Sequence, residues 1–367
     1  MSHSTLTSTI RLGRPAERQE LIVQELREQI VGGQLPPGSR LPTRDEIGQK
    51  YGAGANTVQR ALDRLRVDGF ILSSGRNGTY VSSEPPHLTR YAIVFPAVPT
   101  QAEKWVRFWT ALNNEALRLQ RQEDRKLPLY YGVDGDPNSE NYQTLLQDVF
   151  AHRVAGIIFA SNPYNLCGTP ILDEPGIPRI GIMAPSDGIN MPAISTDVKS
   201  FFDKALDYLQ RRDRRKVAFI NPPGMVALNR TLLQDIADRG MMTQPFWNQS
   251  VHLAYPQAAR DITHLMMHIS QSKRPDALVV SDDNLVEYAT AGLVAAGVHV
   301  PDDVEVVAHC NFPWPTPSVV PVQRLGFDAR EVLQAAIKYI DAARRGESEP
   351  LEIRIPARFE HEVLEQA

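Results

Sequence analysis

Residues Leu41–Val81 read LPTRDEIGQKYGAGANTVQRALDRLRVDGFILSSGRNGTYV, a pattern of two short helices, a tight turn and a small hairpin. Thr43 is followed three residues on by Glu46. In that spacing the hydroxyl and the carboxylate each satisfy a free backbone N–H at a helix start. Ile47 and Tyr51 then share one face at i, i+4. Gly52 stops the helix, and Gly54 keeps the connection short enough for a helix-turn-helix. The next helix is expected over 55–68, with Val58, Ala61, Leu62 and Leu65 as its inward stripe. Asn56, Thr57, Gln59, Arg60, Arg64 and Arg66 remain for the outer surface. Short amides and hydroxyls at the start of a helix, then arginines, suit a DNA major groove. Asn and Gln pair bidentately with adenine, and Arg with guanine or phosphate. Asn77-Gly78 is a hairpin-turn signal, which predicts a β-wing with Arg76 at its tip.

Working outward, 16–31 is expected as a helix with Leu21, Ile22, Leu26, Ile30 and Val31 inward. Gly32-Gly33 ends it and Pro36-Pro37-Gly38 turns the chain. Ile30, Leu35, Pro37-Gly38, Arg40-Leu41-Pro42-Thr43, Asn56-Thr57-Val58-Gln59-Arg60-Ala61-Leu62, Gly69-Phe70-Ile71 and Gly78-Thr79-Tyr80-Val81 follow in order over about 70 residues. Together they resemble the winged helix-turn-helix of the GntR transcription regulators. The chain departs from that pattern where relatives carry Ser-Arg (Gly54-Ala55 here), an arginine after Thr-Val (Gln59) and an arginine in the preceding helix (Asp45, beside Arg44). The resemblance implies a DNA-binding domain over 12–82 that grips an inverted-repeat operator as a homodimer. Arg40, Arg44, Arg60 and Arg64 would meet phosphate; Asn56, Thr57 and Gln59 would read bases. Thr43, Arg76, Asn77 and Gly78 complete the expected DNA-facing set.

The 367 residues allow about two to three domains. The net charge of −4 is unevenly placed. Residues 1–83 hold 11 Lys+Arg and 8 Asp+Glu, a balance of +3, and the remainder holds 28 and 35, a balance of −7. An arginine-biased head on an acidic body fits local contact with DNA. Cys167 and Cys310 are isolated, as in a reducing compartment, and have no metal-ligand spacing. With no apolar run of spanning length and no signal-peptide core, a soluble cytoplasmic protein without membrane contact is expected. His264 and His268 stand one helical turn apart but lack a third ligand, so no metal is expected. No motif for a cofactor or a catalytic nucleophile is present.

Residues 83–90, with Pro85-Pro86, read as a stiffened linker. Beyond them, short apolar strands (91–95, 127–133, 155–159, 178–182, 216–221, 277–280, 304–308) alternate with helices. That alternation predicts an α/β body with parallel sheets covered on both faces. Ser281-Asp282-Asp283-Asn284, Ala296-Gly297 and Val300-Pro301-Asp302-Asp303-Val304 resemble the effector domain of lac-repressor-type regulators and periplasmic sugar-binding proteins, as does Thr196-Asp197-Val198. The likeness implies a periplasmic-binding-protein-like domain over 91–367 with two lobes around a cleft. Lobe 1 would comprise about 91–212 and 324–345, and lobe 2 about 213–312 and 350–367. It implies a repressor whose operator affinity is set by a small ligand, expected to be a sugar, bound between the lobes. Candidate contacts are Asp197, Arg230, Asp283 and Asn311 for hydroxyls, and Trp105, Phe108, Trp109 and Trp314 for stacking. For Asp197 and Asp283 the competing role is helix capping. Rival readings are a nucleobase or amino-acid-like effector, or a GntR-type head on an aminotransferase-like enzyme. None of Lys199, Lys204, Lys216, Lys273 and Lys338 has the context of a Schiff-base lysine, so no enzyme is expected.

Overall fold

The computed structural model describes residues 14–74, 78–101, 103–122, 126–185, 188–224, 230–347 and 350–365. The head comprises α1 (Pro15–Val31), α2 (Arg44–Tyr51), α3 (Ala55–Val67) and a hairpin of β1 (Ile71–Ser73) with β2 (Thr79–Val81). Both halves of the capping box form: Glu46 N–H donates to Thr43 Oγ1 at 3.3 Å and Thr43 N–H to Glu46 Oε2 at 2.7 Å. Gly52 ends α2 in the left-handed region at φ 57°, where a side chain would be strained. The inward stripe of α1 differs by one position from expectation. Leu21 is 42% exposed, and Val23 joins Ile22, Leu26 and Ile30 in the core. At about 100° per residue, position 21 rotates off the face defined by 22, 26 and 30. Where a plain linker was expected, Pro86–Thr89 forms a turn of helix, α4, opened by a proline at its first position.

The body contains β3 (Tyr91–Val94), α5 (Arg107–Gln122), β4 (Leu129–Tyr130), α6 (Glu140–Phe150), β5 (Gly156–Phe159), α7 (Pro170–Asp173), β6 (Arg179–Ile182) and β7 (Ala193–Thr196). It continues through α8 (Val198–Arg211), β8 (Val217–Asn221), α9 (Arg230–Asp238), β9 (Asn248–Ser250), α10 (Ala258–Met267), β10 (Ala277–Val280), α11 (Asp283–Ala295) and β11 (Glu305–Phe312). Last come β12 (Gln323–Asp328), α12 (Ala329–Arg344), β13 (Glu352–Ile355), β14 (Arg358–Phe359) and α13 (Glu360–Leu364). Two six-stranded sheets result, ordered β13-β7-β6-β5-β3-β4 and β14-β12-β11-β10-β8-β9. All pairings are parallel except that of β14 with β12. Each sheet anchors one lobe.

The lobe contents differ from expectation at three places. Helix α8, expected in lobe 1, packs on the second sheet: Phe201 and Phe202 meet Phe327 and Phe219, and Tyr208 Oη donates to Glu305 at 2.8 Å. Strand β12 pairs in register with β11 and so belongs to lobe 2, while the α12 that follows it packs on the first sheet. Strand β13, expected in lobe 2, pairs with β7 in lobe 1. Chain crossings therefore fall after Thr196, around Asp328 and after Ile355. Gly326 makes β12 possible, because a Cβ there would lie 1.8 Å from the Cys310 carbonyl oxygen.

Candidate nucleic-acid interface and ligand cleft

Helix α3 buries Val58, Ala61, Leu62 and Leu65 and turns Asn56, Arg60, Arg64 and Arg66 outward. Gln59 is half-buried, and its Nε2 donates to Asp63 Oδ1 one turn on, at 3.0 Å. Its second N–H is uncommitted, but Oε1 is buried without a partner among the described residues, so bidentate pairing with a base requires the amide to turn outward. Arg40, bridged to Tyr80 of the hairpin, and Arg44, the first residue of α2, are exposed, and Thr43 is engaged as the α2 cap. Gly78, at φ 110°, lets the Arg40 guanidinium lie close across the hairpin; a Cβ there would meet Arg40 Nε at 3.0 Å. The wing-tip residues Arg76 and Asn77 lie outside the described residues.

The C-cap of α3 ties the head to lobe 1. Asp68, its side chain 1% exposed, faces Arg27 of α1 at 3.2 Å, Arg64 at 3.3 Å and Arg153 of lobe 1 at 2.8 Å. Arg153 also clasps Asp148 near the end of α6. Asp148 in turn takes Arg90 at 3.5 Å and the Tyr130 hydroxyl. Burial pulls the Arg153 pKa down, but Asp148 and Asp68 outweigh it and the net shift is upward. For Arg27, burial dominates over Asp68 and lowers the pKa. An ion lattice thus runs from α3 into the body.

Between the lobes lies a cleft of about 310 Å³. Its walls come from strand ends and helix starts, where parallel sheets bind ligands: Ile194–Thr196 and Phe108 from lobe 1, Ser281–Asn284, His309 and Asn311 from lobe 2. Asp282 caps α11 by accepting from Asn284 N–H at 2.9 Å, which frees Asp283 from capping. Asp283 Oδ2 accepts from Asn311 Nδ2 at 2.6 Å and Thr316 Oγ1 at 3.3 Å. Near-complete burial pushes the Asp283 carboxyl up, against the attraction of His309. His309 is 9% exposed, packs against Phe201 and Phe327, and its Nδ1 has no partner among the described residues. Beside the cleft, Arg107 latches the lobes: its N–H donates to Asn284 Oδ1 at 3.1 Å and its guanidinium to Glu287 at 3.0 Å.

Comparison with known proteins agrees with this division. Residues 18–81 match the family "Bacterial regulatory proteins, gntR family", and 206–358 match "Periplasmic binding protein-like domain". The chain joins a GntR-type DNA-binding head to a periplasmic-binding-protein-like body, the architecture of a transcription regulator. This regulator is 23% identical over 341 residues to the arabinose metabolism transcriptional repressor of Geobacillus stearothermophilus, covering 84% of this chain and 88% of that protein. Its body superposes on a LacI family transcriptional regulator of Lactobacillus casei with bound glucose, at a TM-score of 0.53 and 16% identity, covering 74% of this chain and 98% of that one. A ribose operon repressor described as putative, from Burkholderia thailandensis, gives 0.52 at 18% identity, covering 74% and 98%. These superpositions establish the fold alone.

The regulator brings together three of the expected ligand residues, Phe108, Asp283 and Asn311. Asp197 instead caps α8, accepting from Ser200 N–H at 3.1 Å, so the capping alternative holds there. Trp105 and Trp109 pack edge to face at 5.6 Å, and their indoles donate to Thr110 and the Ala160 carbonyl. The 107–122 helix therefore presents Phe108 to the cleft rather than either tryptophan. Trp314 is 43% exposed and does not line the cleft cavity. Arg230 begins α9, and its side chain lies outside the described residues. Sequence reasoning missed His309. The signal available was its place two residues before Asn311 on one strand, which puts both on the same face.

Proposed function

We propose that this regulator is a sugar-responsive repressor that binds an inverted-repeat operator as a homodimer. The observation that carries the ligand class is the Asp283–Asn311 pair in the cleft. Asp283 Oδ2 is held by two donors, which leaves Oδ1 for the paired hydroxyls of a polyol. Phe108 and Phe327 supply apolar faces for a sugar ring, and no lysine or arginine lines the cleft among the described residues. A neutral ligand fits such walls better than one bearing a carboxylate or phosphate. The cleft volume lies at the small end of the roughly 300–1,000 Å³ typical of ligand pockets, which favours a monosaccharide. The sugar-related names of the arabinose, ribose and glucose-bound relatives support the same class.

Ligand binding would move lobe 1 against lobe 2 about the three crossings. Because Arg153 grips the end of α3, movement of lobe 1 would carry the head and alter the spacing of two heads across a dimer. Asn56, Thr57 and a released Gln59 would read bases, while Arg40, Arg44, Arg60 and Arg64 would meet phosphates. A thermal-shift panel of pentoses, hexoses, nucleosides and amino acids tests the ligand class. A ligand at 100 times its Kd adds about 2.7 kcal/mol to the folded state. A response to nucleosides or amino acids and to no sugar would overturn the assignment.

A further inference from the structure

A second cavity, of about 950 Å³, opens where the head, the linker and lobe 1 meet. Gly32 and Gly33 at the end of α1, His87 of α4, and His152, Arg179 and Arg344 of lobe 1 stand on its walls. Arg179 donates through Nε to the Ile171 carbonyl at 2.7 Å and through Nη1 to the Ile177 carbonyl at 2.6 Å, while its Nη2 has no partner among the described residues. Asp173, on the same wall, and Glu174 attract Arg179 without bonding to it. Arg344 donates to the Leu88 carbonyl at 3.3 Å and lies 3.7 Å from Asp341. Burial lowers the pKa of both guanidinium groups. His87 Nδ1 is buried without a partner among the described residues, and burial pushes the imidazole down to about 4, so it is neutral at physiological pH.

Arg179 is a partly desolvated cation with no bonded anion among the described residues, which is costly, and such exceptions to pairing mark places a ligand completes. A guanidinium fork suits a planar or tetrahedral oxyanion, to which it donates with charge assistance. We propose that this junction cavity is a second effector site, distinct from the cleft, which takes a small molecule through an oxyanion group held by Arg179 and Arg344. The bound anion would touch the head, the linker and lobe 1 together and would fasten the head in its docked position. A phosphate ester and a carboxylic acid share the required chemistry; a sugar without an anionic group does not.

Calorimetric titration of the full chain with sodium phosphate and with sodium acetate, against sodium chloride at matched ionic strength, tests this without DNA or the cleft ligand. Saturable binding is expected for at least one anion, and the stronger of the two identifies the ester or the acid. Arg344→Gln and Arg179→Lys are each expected to weaken it about tenfold or more, the latter because lysine keeps the charge but loses the fork. Hydrogen exchange supplies the second readout: the bound anion slows the amides of 87–90 and of Gly32 and Gly33. Should Arg179→Lys misfold by circular dichroism, Arg344→Gln carries the test. Heats that do not saturate, a folded variant that binds as tightly as wild type, or exchange that is unchanged by the anion overturns the proposal.

Discussion

The two interfaces of this regulator are built in opposite ways. Where the head meets lobe 1, Asp68 and Asp148 are shared among Arg27, Arg64, Arg90 and Arg153, and each carboxylate is almost wholly buried. Where lobe 1 faces lobe 2, one buried carboxylate, Asp283, has two neutral donors and no bonded cation among the described residues. A satisfied ion lattice fixes an orientation, because breaking it strands a buried charge. A carboxylate held by neutral donors alone leaves room for a ligand to supply the rest. The difference fits the proposed roles, with transmission at the junction and reception at the cleft.

The largest expected effect lies at the junction. Asp68→Ala leaves Arg27 and Arg153 without their shared carboxylate and should cost about 3–5 kcal/mol, read as a lower urea midpoint. Arg153→Met removes the link between head and body together with the Arg153–Asp148 pair inside lobe 1, and leaves Asp68 its two arginines within the head. It should separate the unfolding of head and body into two transitions, whereas one unchanged cooperative transition would deny the coupling.

At the cleft the sign reverses. Asp283→Asn keeps an oxygen for Asn311 and Thr316 and removes a desolvated charge, so it should stabilise the unliganded protein by about 1 kcal/mol at pH 7 while abolishing the response to sugar. The folded-state pKa of Asp283 is raised, so its charge opposes folding above that pKa. The opposition disappears as pH falls through the folded value toward the unfolded one. The stability gap between variant and wild type should therefore widen with rising pH and close in acid. A gap that is constant with pH would contradict the assignment.

Smaller still, Arg107→Ala removes the guanidinium–Glu287 half of the latch and keeps the backbone N–H bond to Asn284. It should change stability by about 1 kcal/mol or less, yet it should open the lobes measurably by small-angle scattering. Gln59→Ala should leave stability within about 0.5 kcal/mol and alter base preference in a binding-site selection. Preference that stays the same would remove Gln59 from the reading set.

Much of this was legible in the chain itself. The Thr43–Glu46 box, Gly52 and the 58/61/62/65 stripe define the head, because local hydrogen bonding and helical periodicity decide those features. The alternation of apolar strands and helices predicts the parallel body. Lobe membership was not legible at β12 and β13. Gln-Arg-Leu-Gly-Phe-Asp and Glu-Ile-Arg-Ile carry no label for the sheet they join, which is set by register against β11 and β7. At the cleft, Asp283 and Asn311 stand at strand and helix ends that sequence can locate. Whether a tryptophan or Phe108 faces inward depends on the turn preceding α5, and the caps at Asp197 and Asp282 depend on backbone geometry that residue type leaves open.

The central claim is that occupancy of the cleft alters the grip of the head on DNA. Fluorescence anisotropy of a labelled fragment of the regulator's own promoter region, titrated with the full chain in the presence and absence of a sugar that raises its melting temperature, tests this most directly. The account predicts a change of about tenfold or more in Kd, equivalent to about 1.4 kcal/mol, that disappears in Arg153→Met although the sugar still binds. A sugar that binds the cleft and leaves operator affinity unaltered would contradict it.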